Sequence, residues 1–180
     1  MKVGIIVGSL RKESWNMKVA KEVKEMFENA EADIIDIKNL PLYNSDLDGE
    51  NAHEEYTKLR NSAKEHDAFL FITPEYNRTM TPAIKNAIDI GSTAPGGNVW
   101  AKKPAAVFSA SISGFGAMAG NLSLRQSLVY VDLIPMQQPE IYLAKVQDSF
   151  DENGNMTDRT KNYLKKAVKA FEDHIERLTK

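Results

Sequence analysis

The chain has 180 residues, with 23 Lys+Arg against 25 Asp+Glu for a formal charge of −2, and no cysteine. That length is expected to form one domain over residues 1–180 and to bury roughly 70% of its unfolded surface without disulfides or metal. Near-neutral charge argues against a nucleic-acid partner, the missing thiol removes any cysteine nucleophile, and no apolar run reaches the length of a membrane span or suits a leader peptide. A cytoplasmic protein with no membrane partner is therefore expected.

The elements follow in order. Residues 3–7 are apolar and rich in β-branched side chains, as a buried strand requires. Gly8-Ser9 breaks the run. A helical pattern covers 14–29, with Val19, Val23, Phe27 and Ala30 at helical spacing. Further strands are expected over 32–37, 68–72, 105–109 and 141–143, and helices over 52–65, 82–90 and 117–131. The last helix carries one apolar stripe through Leu164, Ala167, Val168, Phe171, Ile175 and Leu178. Five strands alternating with five helices predict an α/β fold with a five-stranded parallel sheet and helices on both faces. Right-handed crossovers leave the flavodoxin-like order 2-1-3-4-5 as the natural choice. Residues 91–98 and 148–155 read as polar loops within the domain. His53, His66 and His174 lie far apart in charged helical stretches and read as solvated surface residues rather than metal ligands.

In such a sheet ligands bind beyond the carboxyl ends of the strands, where the strand order reverses. The turn after the first strand reads GSLRKESWN. Ser9, Arg11, Ser14 and Asn16 can all donate hydrogen bonds there, and the helix that follows adds free N–H groups and the positive end of its dipole. This chemistry suits a phosphate monoester, although Ser14 suits an ordinary N-cap equally well. The Walker A pattern and the dinucleotide pattern GxGxxG are both absent. The loop after the third strand offers Pro74, Glu75, Tyr76 and Asn77, a set able to line a flat ring. Thr81-Pro82 then opens a helix as N-cap and first residue. The small residues from Ser109 to Ala117 after the fourth strand permit close backbone approach.

These stretches, together with LPLYN at 40–44, PEYNRTMTPAIKNAID at 74–89 and QQPEIYL at 137–143, resemble the NADPH-dependent FMN reductase family of flavin, quinone and azo-compound reductases. The resemblance spans most of the chain in order. It implies FMN as cofactor, with Ser9, Arg11, Ser14 and Asn16 at the phosphate and Pro74, Glu75, Tyr76 and Asn77 along the isoalloxazine. It places Ser111, Ser113, Gly114 and Gly116 at the other end of the flavin. The chain departs from the family's glycines at Ser113 and Ala117. NADPH or NADH would be co-substrate and a small molecule the electron acceptor, in a ping-pong cycle. A homodimer or homotetramer is also implied, with the helix bearing Leu124, Arg125, Leu128, Val129 and Tyr130 as its candidate interface. Hydride transfer through a flavin needs no protein nucleophile or metal, which agrees with a chain that shows neither. A non-catalytic FMN-binding sensor is one alternative reading, and two further rivals share the topology. An electron-carrying flavodoxin is often strongly acidic, and a receiver domain needs acidic residues after the first strand, where Gly8-Ser9-Leu10-Arg11 supplies none.

Overall fold

The computed structural model describes residues 1–49 and 52–179. Strands β1 (Lys2–Val7), β2 (Glu31–Ile35), β3 (Ala68–Thr73) and β4 (Pro104–Ala110) alternate with helices α1 (Trp15–Lys24), α2 (Glu54–Lys64), α3 (Pro82–Ser92) and α4 (Met118–Tyr130). Two short strands, β5 (Ile134–Pro135) and β6 (Ile141–Leu143), precede the long helix α5 (Asp158–Thr179). All pairings are parallel, in the order β2-β1-β3-β4-β5. The expected order is therefore present.

One correction concerns the fifth strand. Both β5 and β6 pair with β4, the first at Pro104 and Ala105 and the second from Phe108 to Ala110. The outer position is thus shared by two fragments instead of one strand. The chain between them leaves the sheet around a cis Gln138–Pro139 bond. Proline has no N–H to give a ladder, so such an excursion fits its place at an edge.

The central strands β1, β3 and β4 are buried on both faces, as a parallel sheet demands. On one face Val3, Ile5, Leu70, Ile72 and Phe108 pack against α1 and α5. On the other Ile6, Phe69, Phe71 and Val107 pack against α2, α3 and α4. The alternation along β1 decides this split, because successive side chains point to opposite faces. Trp100 is fully buried in the second layer, edge-on to Phe69 at 4.9 Å, with its indole N–H donated to Ile88 O.

Two histidines differ from expectation. His66 and His174 are each only 4% exposed. His66 Nδ1 lies 2.7 Å from Ser62 O, and His174 Nε2 lies 2.9 Å from Ile134 O. Each ring has one backbone carbonyl as partner, which offsets part of the cost of leaving water, while His66 Nε2 is buried with no partner among the described residues. Among the described residues no group of His, Asp or Glu suits a metal ion, and no helix is long and apolar enough to cross a membrane.

Candidate functional site

Three loops meet at the carboxyl edge of the sheet around a cavity of about 220 Å³. The loop after β1 contributes Ser9, Arg11, Ser14 and Asn16, the loop after β3 contributes Pro74, Glu75 and Tyr76, and the loop after β4 contributes Ser111. The cavity sits where β1 separates β2 from β3, which is the point of order reversal. Asn77, Ser113, Gly114 and Gly116 fall outside its lining.

The first loop is built by the end of a ladder. Gly8 N–H donates to Ile72 O at 2.9 Å, and the chain then leaves the sheet. Ser14 caps α1 from an extended conformation, its Oγ accepting the Met17 N–H at 3.1 Å. The capping role and a cavity-lining role therefore coexist, since the hydroxyl proton is still available to a ligand. No acidic residue occupies the first turn of α1. The positive end of its dipole is thus left to favour an anion.

Asn16 is 5% exposed, and its amide is divided between two tasks. Nδ2 donates to Ala110 O at 3.2 Å, which ties the first loop to the end of β4. Oδ1 is buried with no partner among the described residues. A buried acceptor left unpaired costs about 1–3 kcal/mol. Since its only free atom accepts, Asn16 offers this cavity a partner for a ligand hydroxyl or N–H.

The second loop folds back on itself. Tyr76 and Thr79 exchange both backbone hydrogen bonds, at 3.0 and 3.1 Å, around Asn77 and Arg78 at φ 50° and 66°. Two positive φ values define a type I′ turn. It leaves Asn77 exposed beyond the cavity and Tyr76 45% exposed on the rim. The Arg78 guanidinium lies 5.9 Å from the Phe115 ring centroid, so the second and third loops approach each other there. Ser123 fastens this loop to α4, its Oγ accepting the Met80 N–H at 2.7 Å.

In the third loop the hydroxyls of Ser111 and Ser113 bond each other at 2.7 Å. Gly116 has φ +57°, and a Cβ there would lie 2.7 Å from the Tyr142 carbonyl carbon. Its glycine is required by close packing on β6. Gly114 has open space around it.

Trp15, Ile112 and Val146 also line the cavity and were not singled out from sequence. Trp15 packs against Phe150 with ring centroids 5.5 Å apart and the planes tilted by 36°. An aromatic inside a polar turn was the available signal. A lone valine in the short 3-10 turn Val146–Ser149 carries none. On α4, Leu124 and Leu128 are fully buried in the core and do not face a partner. Arg125 is held by Asn121 Oδ1 and Met136 O at 2.8 and 2.7 Å. The exposed apolar groups of that helix are Met118, Leu122, Val129 and Tyr130.

Comparison with known proteins agrees with this architecture. The profile of the family described as NADPH-dependent FMN reductase matches residues 1–148. A quinone reductase of Pseudomonas putida is 41% identical over 175 residues, covering 97% of this chain and 94% of that protein. An NAD(P)H:quinone oxidoreductase of Solanum tuberosum is 38% identical, covering 96% of this chain and 91% of the relative. Among solved structures, the flavoenzyme NAD(P)H:(acceptor) oxidoreductase FerB from Paracoccus denitrificans superposes with a TM-score of 0.90 at 38% identity, over 98% of this chain and 97% of that one.

Proposed function

Because the chain belongs to the NADPH-dependent FMN reductase family, we propose that the three-loop cavity is its flavin site. The protein is an FMN-dependent oxidoreductase that uses NAD(P)H. The residues present fit that cofactor. Arg11 and the hydroxyls of Ser9 and Ser14, beside the α1 N-terminus, match a phosphate in charge and donor count. The single observation that carries the reading is the buried, unpaired Asn16 Oδ1. It supplies an acceptor where a sugar-alcohol hydroxyl would follow the phosphate.

Bound FMN would supply the hydride-accepting and two-electron-donating chemistry between NAD(P)H and an acceptor. The chain positions and shields. Pro74 and Tyr76 offer a flat wall, and Glu75 stays fixed to α4 through the Gly120 N–H. No side chain needs to act as nucleophile. The nicotinamide and the acceptor share one open mouth between Tyr76 and the third loop, so they enter in turn. Relatives named quinone reductases support a quinone as acceptor. The apolar groups exposed on α4 and its preceding loop, from Phe115 at 66% to Val129 at 64%, support a homodimer that covers them. The absence of cysteine agrees with a cytoplasmic setting.

Initial rates with NADPH and a quinone, at several fixed quinone concentrations, test the shared mouth. Parallel double-reciprocal lines are expected. Intersecting lines would show separate pockets, and no turnover by the purified protein would favour an electron carrier instead.

A further inference from the structure

A second cavity, of about 590 Å³, lies on the other side of the β1 loop, between that loop and the carboxyl end of β2. It shares Ser9 and Arg11 with the flavin-site cavity. Its floor is apolar, with Ile35 and Ile37 only 7% and 4% exposed. Its rim is cationic. Arg11, Lys12 and Lys38 are exposed there, and none of the three enters an ion pair among the described residues. Asp36 is the one carboxylate in the lining. Its Oδ1 accepts the Lys38 N–H at 2.8 Å, which leaves Oδ2 for a ligand.

Each part of this set narrows the ligand. A bare anion needs no apolar floor, and an apolar ligand needs no cationic rim. A flat heterocycle suits the floor, a sugar hydroxyl suits Asp36, and phosphate suits the lysines. The unit β1-α1-β2 is a βαβ arrangement, whose strand ends carry nucleotides in open α/β sheets. We propose that this groove seats the adenosine phosphate end of the nicotinamide co-substrate, with Lys12 and Lys38 taking the 2′-phosphate that separates NADPH from NADH. The proposal rests on the flavin site argued above. Since β2 and β3 flank β1, groove and mouth stand about two strand spacings apart, roughly 10 Å. One dinucleotide can cross the β1 loop, nicotinamide on one side and adenosine on the other.

The test is a Lys12→Ala/Lys38→Ala double variant, with Lys165→Ala/Lys166→Ala on α5 as a control of equal charge change. Neither pair lines the flavin-site cavity. Both variants and the wild type are assayed FMN-saturated, with NADPH and with NADH, and 2′,5′-ADP binding is measured by calorimetry. In the groove variant, kcat/KM for NADPH should fall roughly tenfold through KM, NADH should change less than about twofold, and 2′,5′-ADP should bind roughly tenfold more weakly. The control should match the wild type. Equal losses for both nucleotides, or unchanged 2′,5′-ADP binding, would overturn the assignment. So would weaker retention of FAD with NADPH kinetics unaltered, which would give the groove to a flavin dinucleotide. Failure of the wild type to hold FMN or to oxidise either nucleotide would instead refute the flavin site, while calorimetry would still read the groove.

Discussion

The Glu75 carboxylate accepts the Gly120 N–H at 3.2 Å, pinning the loop after β3 against the first turn of α4. Their approach depends on the missing side chain at 120. A Cβ there would lie 2.9 Å from Pro74 O and 3.1 Å from Glu75 Cα. The helix N-terminus favours the negative charge brought to it. The Glu75 carboxylate thus holds the wall of the site in place.

Gly120→Ala should therefore push Pro74 and Glu75 off α4, at a cost of about 1–3 kcal/mol for overpacking. FMN affinity should fall with it. Glu75→Ala should weaken FMN binding as well, and Glu75→Gln, which keeps an acceptor oxygen, should restore most of it. Denaturant unfolding and FMN titration of the three variants check this. A Gly120→Ala protein of unchanged stability and affinity would show that the contact does not set the loop.

Asp48 and Arg60 form a bidentate pair at 2.7 and 2.6 Å, with side chains only 8% and 4% exposed. Hydrogen bonds from Arg60 hold the Asp48 carboxyl below its usual range, against the opposing effect of burial. The folded pKa is thus lower than the unfolded value of about 3.9. The stabilisation is complete above that value and is lost as pH falls through the folded pKa. Asp48→Ala should cost about 3–5 kcal/mol at neutral pH, because the Arg60 charge is left buried and unpaired. Unfolding measured from pH 7 to pH 3 should show the gap between wild type and variant closing with acid. A gap independent of pH would contradict the pairing.

Arg78 holds φ 66° in the second central position of a type I′ turn, where glycine is the usual residue. A left-handed backbone costs a side-chain-bearing residue about 1–2 kcal/mol. Arg78→Gly should raise unfolding stability by about 1 kcal/mol while removing the guanidinium from the Phe115 ring. Thermal unfolding of the flavin-free protein reads the first effect. A loss of stability would mean that the Phe115 contact outweighs the strain.

Much of this was legible in the sequence because it rests on periodicity. The β-branched run at the N-terminus, the Thr81-Pro82 helix start and the stripe on α5 each announce one element. The Thr81 cap forms as expected, its Oγ accepting the Ile84 N–H at 3.5 Å. The alternation of elements then places the three loops together, and eight of the twelve expected site residues share one cavity. What could not be read depends on tertiary contact. Of the two fragments of the outer strand, β6 stands at the expected 141–143, whereas β5 is two residues long, below the length at which a period is visible. Gly116 reads as a ligand-approach glycine until Tyr142 is placed beside it. Leu124 and Leu128 face the core or a partner with the same sequence pattern. Asn16 is a donor on paper, and only Ala110 O reveals which half of its amide remains free.

Titration of flavin-free protein with FMN, followed by flavin fluorescence and repeated with riboflavin, tests the flavin site most directly. About one FMN per chain is expected. A charge-assisted hydrogen bond to phosphate contributes about 1.5–3 kcal/mol. Arg11→Ala should therefore raise the FMN dissociation constant roughly ten- to a hundredfold and leave that of riboflavin unchanged. No FMN binding, tighter binding of FAD than of FMN, or equal losses for FMN and riboflavin in the variant would contradict a phosphate anchor in the loop after β1.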